Sequence, residues 1–355
     1  MFVRFWKLNP ITQKRLKRFR KIRRGYYSLL ILLFLILLSL FSNFIANNRA
    51  ILVRYNGKFY FPTFKFYPMI TFGQKDEWGF NDAEADYRAM KKEFKGTKNL
   101  VLLPLVPFNP YENDFGFYTN PPPNPPDSRH WFGTDSQGRD VFARILYGFR
   151  VSILFALVLV FLSQIFGTVV GSLQGYLAGK FDIYTQRFIE IWGTLPFLYI
   201  VIIMATFFIP SFFMLLLIMM LFWWMGITYY MRTEMYREKT KEYCLAARSY
   251  GASHFRIVFR HLLPNCLTPL VTFTPFAIVG AIGSLTALDY LGYGMPPPTP
   301  SWGELIDQAL QVSNRDKIWL TIAPFTAISL TLILVTLIGE SIREAFDPKQ
   351  YAKYK

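Results

Sequence analysis

Charge is what this chain is short of: 17% of its 355 residues are charged, where an ordinary soluble domain carries about a quarter. A water-facing globule is excluded by that shortage. The apolar excess, 52% of the chain with 36 Phe, falls in long runs of the kind that cross a bilayer. Cysteine and histidine are scarcer still. Cys244 and Cys266 flank a stretch that the charge bias places in the cytoplasm, where thiols stay reduced, so no disulfide is expected. His130, His254 and His261 are scattered without a Cys/His cluster, which leaves a structural zinc or haem site without support. Catalytic fingerprints are missing too. The string GYLAGKF at 175–181 lacks the spacing and the Ser/Thr of a Walker A loop, and no nucleophile elbow, zincin helix or paired-glycine dinucleotide loop occurs. An enzyme reading has no residues to stand on, and no cofactor is expected on this chain.

What is there is basic and apolar. The net charge of +16 would suggest nucleic acid in a soluble protein, but here the positive-inside bias accounts for it and no nucleic-acid partner is expected. Residues 1–27 carry ten Lys or Arg and no acid, and a run from Ser28 to Ile45 follows. The charged region is too long for a cleavable signal peptide and no A-x-A-like site follows, so a signal anchor with a cytoplasmic N-terminus fits. Further spans are expected at about 151–174, 189–209, 211–230, 266–289 and 318–339. Six crossings return the C-terminus to the cytoplasm. The loop 231–265 with seven Lys or Arg and the tail 341–355 with four agree with that orientation.

The expected division is a basic N-terminus (1–27), a first span (28–45), an insert (46–139), a membrane domain (140–340) and a tail (341–355). Within the insert, PPPNPP at 121–126 reads as an extended spacer and FYFPTFKFYP at 59–68 as strand-like. The segment 140–150 places Phe142, Ile145, Leu146 and Phe149 on one face, an amphipathic helix on the outer membrane surface. Gly167, Gly171, Gly175 and Gly179 recur every fourth residue, a small-residue face for tight helix packing on which a moving helix would pivot. Glu190, Asp289 and Glu340 lie near span ends and read as helix-end or cavity-facing groups.

The stretch LAARSYGASHFRIVFRHLLPN at 245–265 interrupts the apolar runs. Glu242 to Tyr250 forms one short helix, Gly251 permits a bend, Ser253 caps a second helix, and Pro264 closes the unit. Phe255, Val258, Phe259 and Leu262 make an apolar stripe, with Arg256 on another face. The small surface of Ala246 and Ala247 suits a partner's groove better than a lipid layer.

Ala246, Ala247, Gly251 and Pro264 together resemble the EAA loop of bacterial ABC importer permeases, with Leu245 where that family has an acid and Glu242 one turn earlier. HWFGTDSQGRDVFARILYG at 130–148 and LDYLGYGMPPPTPSWGEL at 288–305 are similar to signatures of the peptide-importer branch. RRGYYSLLILL at 23–33 and ANNRAILVRYNGKFYFP at 46–62 resemble second permease subunits of importers for peptides and microcin C-type antibiotics. The resemblance implies an all-α integral membrane fold, a six-helix type I (MetI-like) importer domain with an irregular periplasmic insert between helices 1 and 2, in the bacterial inner membrane. It implies a paralogous permease, two ATPase domains in separate chains or one, a periplasmic peptide-binding protein and membrane lipid as partners, with ATP and Mg used by the ATPase. The coupling residues it implies are Glu242, Leu245, Ala246, Ala247, Arg248, Gly251, Ser253, Phe255, Arg256, Phe259 and Pro264. Oligopeptide, dipeptide and nickel permeases are neighbouring readings. An ion-coupled secondary transporter would need a buried ion site and internal repeats, and neither is visible.

Overall fold

A computed structural model describes residues 10–75, 82–115, 118 and 120–347. The ends of the expected N-terminal region and tail, 1–9 and 348–355, lie outside the described residues. In chain order the principal elements are α1 (Pro10–Lys21), α2 (Arg23–Leu40), β1 (Leu52–Tyr55), β2 (Lys58–Tyr60), α3 (Tyr87–Glu93) and β3 (Leu100–Leu102). Then come α4 (Val141–Leu177), α5 (Gly179–Gly193), α6 (Phe197–Phe207), α7 (Phe212–Glu238), α8 (Glu242–Ser249), α9 (Thr268–Tyr290), α10 (Trp302–Leu310) and α11 (Ile318–Phe346). Five helices (α2, α4, α7, α9, α11) are long and apolar enough to cross a membrane, and α5 with α6 makes a sixth crossing if that bent pair is one span.

Two expected boundaries change. The crossing expected at 189–209 is instead the pair α5–α6, bent by 71°. Its break falls just before Pro196, whose ring disfavours helix at the preceding residue and removes an N–H. The surface helix expected at 140–150 is the first part of α4, a single helix of 37 residues, because no breaker separates it from the span. The first crossing begins at Arg23, before the expected Ser28, and α2 ends at Leu40.

Among the described residues, contacts divide the chain into two compact units: those within 10–33, 152–296 and 329–347 form one, and those within 34–151 and 297–328 form the other. In the first, α4 and α7 meet along small residues. A Cβ at Gly171 would stand 2.5 Å from the Thr228 carbonyl oxygen, and one at Gly175 would stand 2.5 Å from that of Arg232. Gly167 faces Trp224, Ile227 and Thr228, whose hydroxyl donates to the Gly167 carbonyl at 3.2 Å. Gly179 does not share this face. The helix ends at Leu177, Gly179 takes φ +59°, and a Cβ there would meet nothing within 4 Å. Four-residue spacing continues in the sequence after the helix that gives it meaning has stopped. Asp182 receives a two-pronged hydrogen bond from Arg232 (2.6 and 2.7 Å) and one from the Tyr236 hydroxyl, which ties α5 to α7. Near the N-terminus, Phe19 packs with Ile338 and Ala345, and Arg24 pairs with Glu344 at 2.9 Å.

The second unit carries a three-stranded antiparallel sheet in the order β2-β1-β3, with Val53 opposite both Tyr60 and Val101. The insert is therefore not irregular. Asn56 and Gly57, both at positive φ, make the tight hairpin turn that matches strand twist. Val53, Phe72, Ala85, Tyr87, Met90 and Val101 form its core. The strand expected over 59–68 stops at Tyr60, with Pro62 and Pro68 unable to donate to a ladder. Nor is the proline run a spacer. Asn124 is buried, its N–H donates to Thr134 Oγ1 at 2.8 Å, and its carbonyl accepts from Thr134 N at 2.9 Å.

Candidate functional site

The two signature stretches meet inside the second unit. Trp302 is buried against Gly148, and its indole N–H donates to the Ile145 carbonyl at 3.1 Å. Arg139 and Arg144, both fully buried, converge on Glu304, with Arg139 also held by Asp135 at 2.7 Å. The Ser136 N–H donates to Gln308 Oε1 at 3.0 Å. A buried charge survives only when it is paired, and two guanidinium groups sharing two carboxylates meet that condition. Beside this network, His130 lies between Asp140 (2.7 Å) and Asp114 (3.1 Å), with Arg129 on Asp114 at 2.7 Å. Burial alone would favour the neutral ring. The hydrogen bonds to Asp140 and Asp114 outweigh it and raise the His130 pKa. Burial likewise opposes ionisation of Asp114, but Arg129 and His130 hold its pKa below the usual carboxylate value. The quoted signatures contain most of these residues, but the pairing itself has no local pattern, because Asp114 and Glu304 lie far along the chain from 129–144. The Asp135, Arg139, Arg144 spacing was the available signal.

The elbow 239–266 belongs to the first unit. It starts where α7 ends, and Lys239 donates its ammonium hydrogens to the Gly175 carbonyl at 2.7 Å. That supplies a cation to the open carbonyls of the α4 terminus. Glu238 is buried and accepts from Lys241 (2.6 Å) and from the Tyr243 hydroxyl (2.8 Å). Burial and that carboxylate push Tyr243 up to about 12. α8 closes in a Schellman turn: Gly251 takes φ +72°, its N–H donates to the Arg248 carbonyl, and the Ala252 N–H donates to the Ala247 carbonyl. Ser253 Oγ then accepts from the Arg256 N–H at 3.4 Å.

The helical run that follows, His254–Arg256, widens into a π-helical stretch at Ile257–Leu262 before Leu263–Cys266. The wider turn rotates the side chains. Ile257, Val258 and Leu262 are buried with Cys244, Cys266, Met231, Met235 and Tyr176. Phe255 and Phe259, read from the sequence as one apolar stripe with Val258 and Leu262, face outward at 73% and 43% exposure, with ring centroids 4.4 Å apart. Ala247 packs against the cluster while Ala246 is exposed, so the alanine pair is split between faces. Glu242, Leu245, Arg248, Gly251, Ser253, Arg256 and Pro264 are exposed. His254 Nδ1 lies 2.6 Å from the Tyr176 hydroxyl at the end of α4. Cys244 and Cys266 are free and buried. Of the three carboxylates near span ends, Glu190 pairs with Arg187 at 2.7 Å and Glu340 lies 3.7 Å from Arg24. Asp289 accepts from the Met295 N–H at 2.6 Å.

Apolar crossings joined by a packed elbow with an aromatic outer face define a class: a multi-span transport permease. The family model described as binding-protein-dependent transport system inner membrane component matches residues 167–350. The inner membrane ABC transporter permease protein YejE of Escherichia coli (strain K12) is 42% identical over 346 residues, 97% of this chain and 99% of its own. The peptidoglycan transport system permease protein YejE of Agrobacterium fabrum is 39% identical over 366 residues, 96% of this chain and 94% of its own. The dipeptide transport system permease protein DppC of Bacillus subtilis is 32% identical over 225 residues, 63% and 70% of the two chains. This chain belongs to the binding-protein-dependent inner membrane permeases of ABC transporters. It is the non-catalytic membrane subunit, and its fold class is the all-α importer domain read from the sequence. Membership implies an ATPase and a substrate-binding protein as partners.

Proposed function

We propose that the chain is a permease subunit of a peptide importer and that its elbow is the coupling element gripped by the ATPase. One observation carries this. The elbow buries Ile257, Val258 and Leu262 on the spans, yet leaves Tyr250, Phe255 and Phe259 uncovered at 91%, 73% and 43% exposure. Such a patch, with Arg256 beside it, suits a protein partner. The elbow and both termini then face the cytoplasm and the sheet-bearing insert faces the periplasm. ATP and Mg act on the partner ATPase. Closure of that ATPase moves the docked elbow, and Lys239, His254 and Glu238 pass the movement into α4 and α7, which alternate access to the two sides.

The cargo on this reading is a peptide, with microcin C-type peptide antibiotics among the substrates. A second reading, cell-wall peptide fragments, is favoured by the peptidoglycan transport named for the Agrobacterium relative. Uptake into cells lacking the chain and restored by it is the test. Vanadate should abolish uptake and a protonophore should not. Competition between a microcin C-type peptide, a muropeptide and a plain oligopeptide ranks the cargo. Uptake lost to the protonophore alone would leave an ion-coupled carrier as the better account.

A further inference from the structure

A recess of ≈ 630 Å³ lies on the inner flank of the elbow, lined by Tyr176, Leu177, Lys239, Leu245, Arg248 and His254 among others. No Asp or Glu lines it. That sets it apart from other cations of the same unit, where Arg232 has Asp182, Lys241 has Glu238 and Arg24 has Glu344. Among the described residues, neither Lys239 nor Arg248 has a carboxylate within ion-pair distance. Burial depresses the Lys239 pKa, Asp182 works the other way, and the charge of Arg248 adds to the depression. Two cations and an imidazole thus share one concavity with nothing negative inside it.

The depth of the recess says what fills it. Tyr176 and Leu177 are the last residues of α4, and Lys239 directly follows the last residue of α7. Both helices are long and apolar enough to cross the membrane. The cations therefore lie where two crossings end, at the level of lipid headgroups. Leu177 and Leu245, half exposed at 53% and 49%, supply the apolar rim that the upper part of an acyl chain requires. Lys239 donates to the carbonyls of Gly175 and Tyr176 and still has a third N–H to give, while Arg248 offers a planar fork.

We propose that this recess binds the phosphate of an anionic phospholipid, held by Arg248 and Lys239 with the acyl chains along Leu177. A lipid there joins the elbow to the bilayer at the point where α4 ends.

The test uses the full chain in detergent, titrated with phosphatidylglycerol or with phosphatidylcholine of identical acyl chains and read by native mass spectrometry. Phosphatidylglycerol should bind saturably and phosphatidylcholine should not. Arg248→Gln should weaken binding about fivefold, the effect of one basic residue near a charged membrane surface. Arg248→Lys should restore most of it. Arg260→Gln, on an exposed part of the elbow away from the recess, should match the wild type. Equal binding of the two lipids, an equal loss from Arg260→Gln, or displacement of the lipid by inorganic phosphate at the same concentration would overturn the site. Protection of Leu245→Cys from a thiol reagent by the ATPase and not by lipid would assign the recess to the ATPase, and the lipid proposal would fall.

Discussion

A single methyl group added at Gly171 has nowhere to go. It would stand 2.5 Å from the Thr228 carbonyl oxygen, 2.9 Å from Met231 Cβ and 3.1 Å from Arg232 N. These are backbone or near-backbone atoms, so no side chain can swing aside. Carbon atoms pack at about 3.5–4.0 Å, so α4 and α7 must part by somewhat under ~1 Å, which forfeits a quarter to a half of the local dispersion. Overpacking costs about 1–3 kcal/mol, and a clash set by the backbone belongs near the top of that range. The better helix propensity of alanine returns about 0.8–1 kcal/mol. Gly171→Ala should therefore lose ~2 kcal/mol net, a fall of about 5 °C in thermal unfolding. Gly226→Ala in α7 is the control, because a Cβ there meets nothing within 4 Å. It should be as stable as the wild type or slightly more so. Detergent-solubilised protein would be heated and its monodisperse fraction followed by size exclusion, alongside abundance in the membrane. Equal midpoints for Gly171→Ala and wild type would refute the close approach of the two helices. Gly171→Leu should go further and reduce recovery of the assembled transporter.

Four other outcomes are expected. Gly251→Val should reduce uptake at normal membrane abundance, since a β-branched residue is strained at φ +72° although a Cβ there meets nothing within 4 Å, while Gly251→Asn should retain more; uptake and abundance measured together decide it. Glu304→Gln should destabilise by ~3 kcal/mol by leaving the buried Arg139 and Arg144 with too little negative charge, read as a lowered thermal midpoint. His130, with its pKa raised in the fold, contributes stability fully present below about pH 6.5 and lost as pH rises through the raised value. Asp114, with its pKa lowered, contributes stability present above about pH 3.9 and lost as pH falls through the lowered value. His130→Gln should accordingly flatten the decline of the thermal midpoint on the alkaline side.

Most of the membrane architecture was legible because a bilayer imposes length and hydropathy on every crossing, and the bend at Gly251 was legible because few residues tolerate its conformation. What escaped depended on tertiary company. The break before Pro196 lies inside an apolar run that hydropathy reads as continuous. Phe255 and Phe259 satisfy a 3.6-residue stripe, but the π-helical widening at Ile257–Leu262 turns the buried face to Ile257, Val258 and Leu262. The sheet was announced by Asn56-Gly57, yet its strands of four, three and three residues are too short for alternation to stand out. The Arg139–Glu304 pairing joins positions 165 residues apart, beyond any local pattern.

The 37 residues of α4 run without a break, about 55 Å at 1.5 Å per residue and well beyond the roughly 30 Å of a hydrocarbon core. An arm of that length with no joint works as a lever. A tilt of about five degrees at the glycines near one end sweeps Arg144 through about 3–4 Å at the other, on the helical rise of 1.5 Å per residue. Small strokes at one end of α4 need no amplifier beyond this one stiff beam.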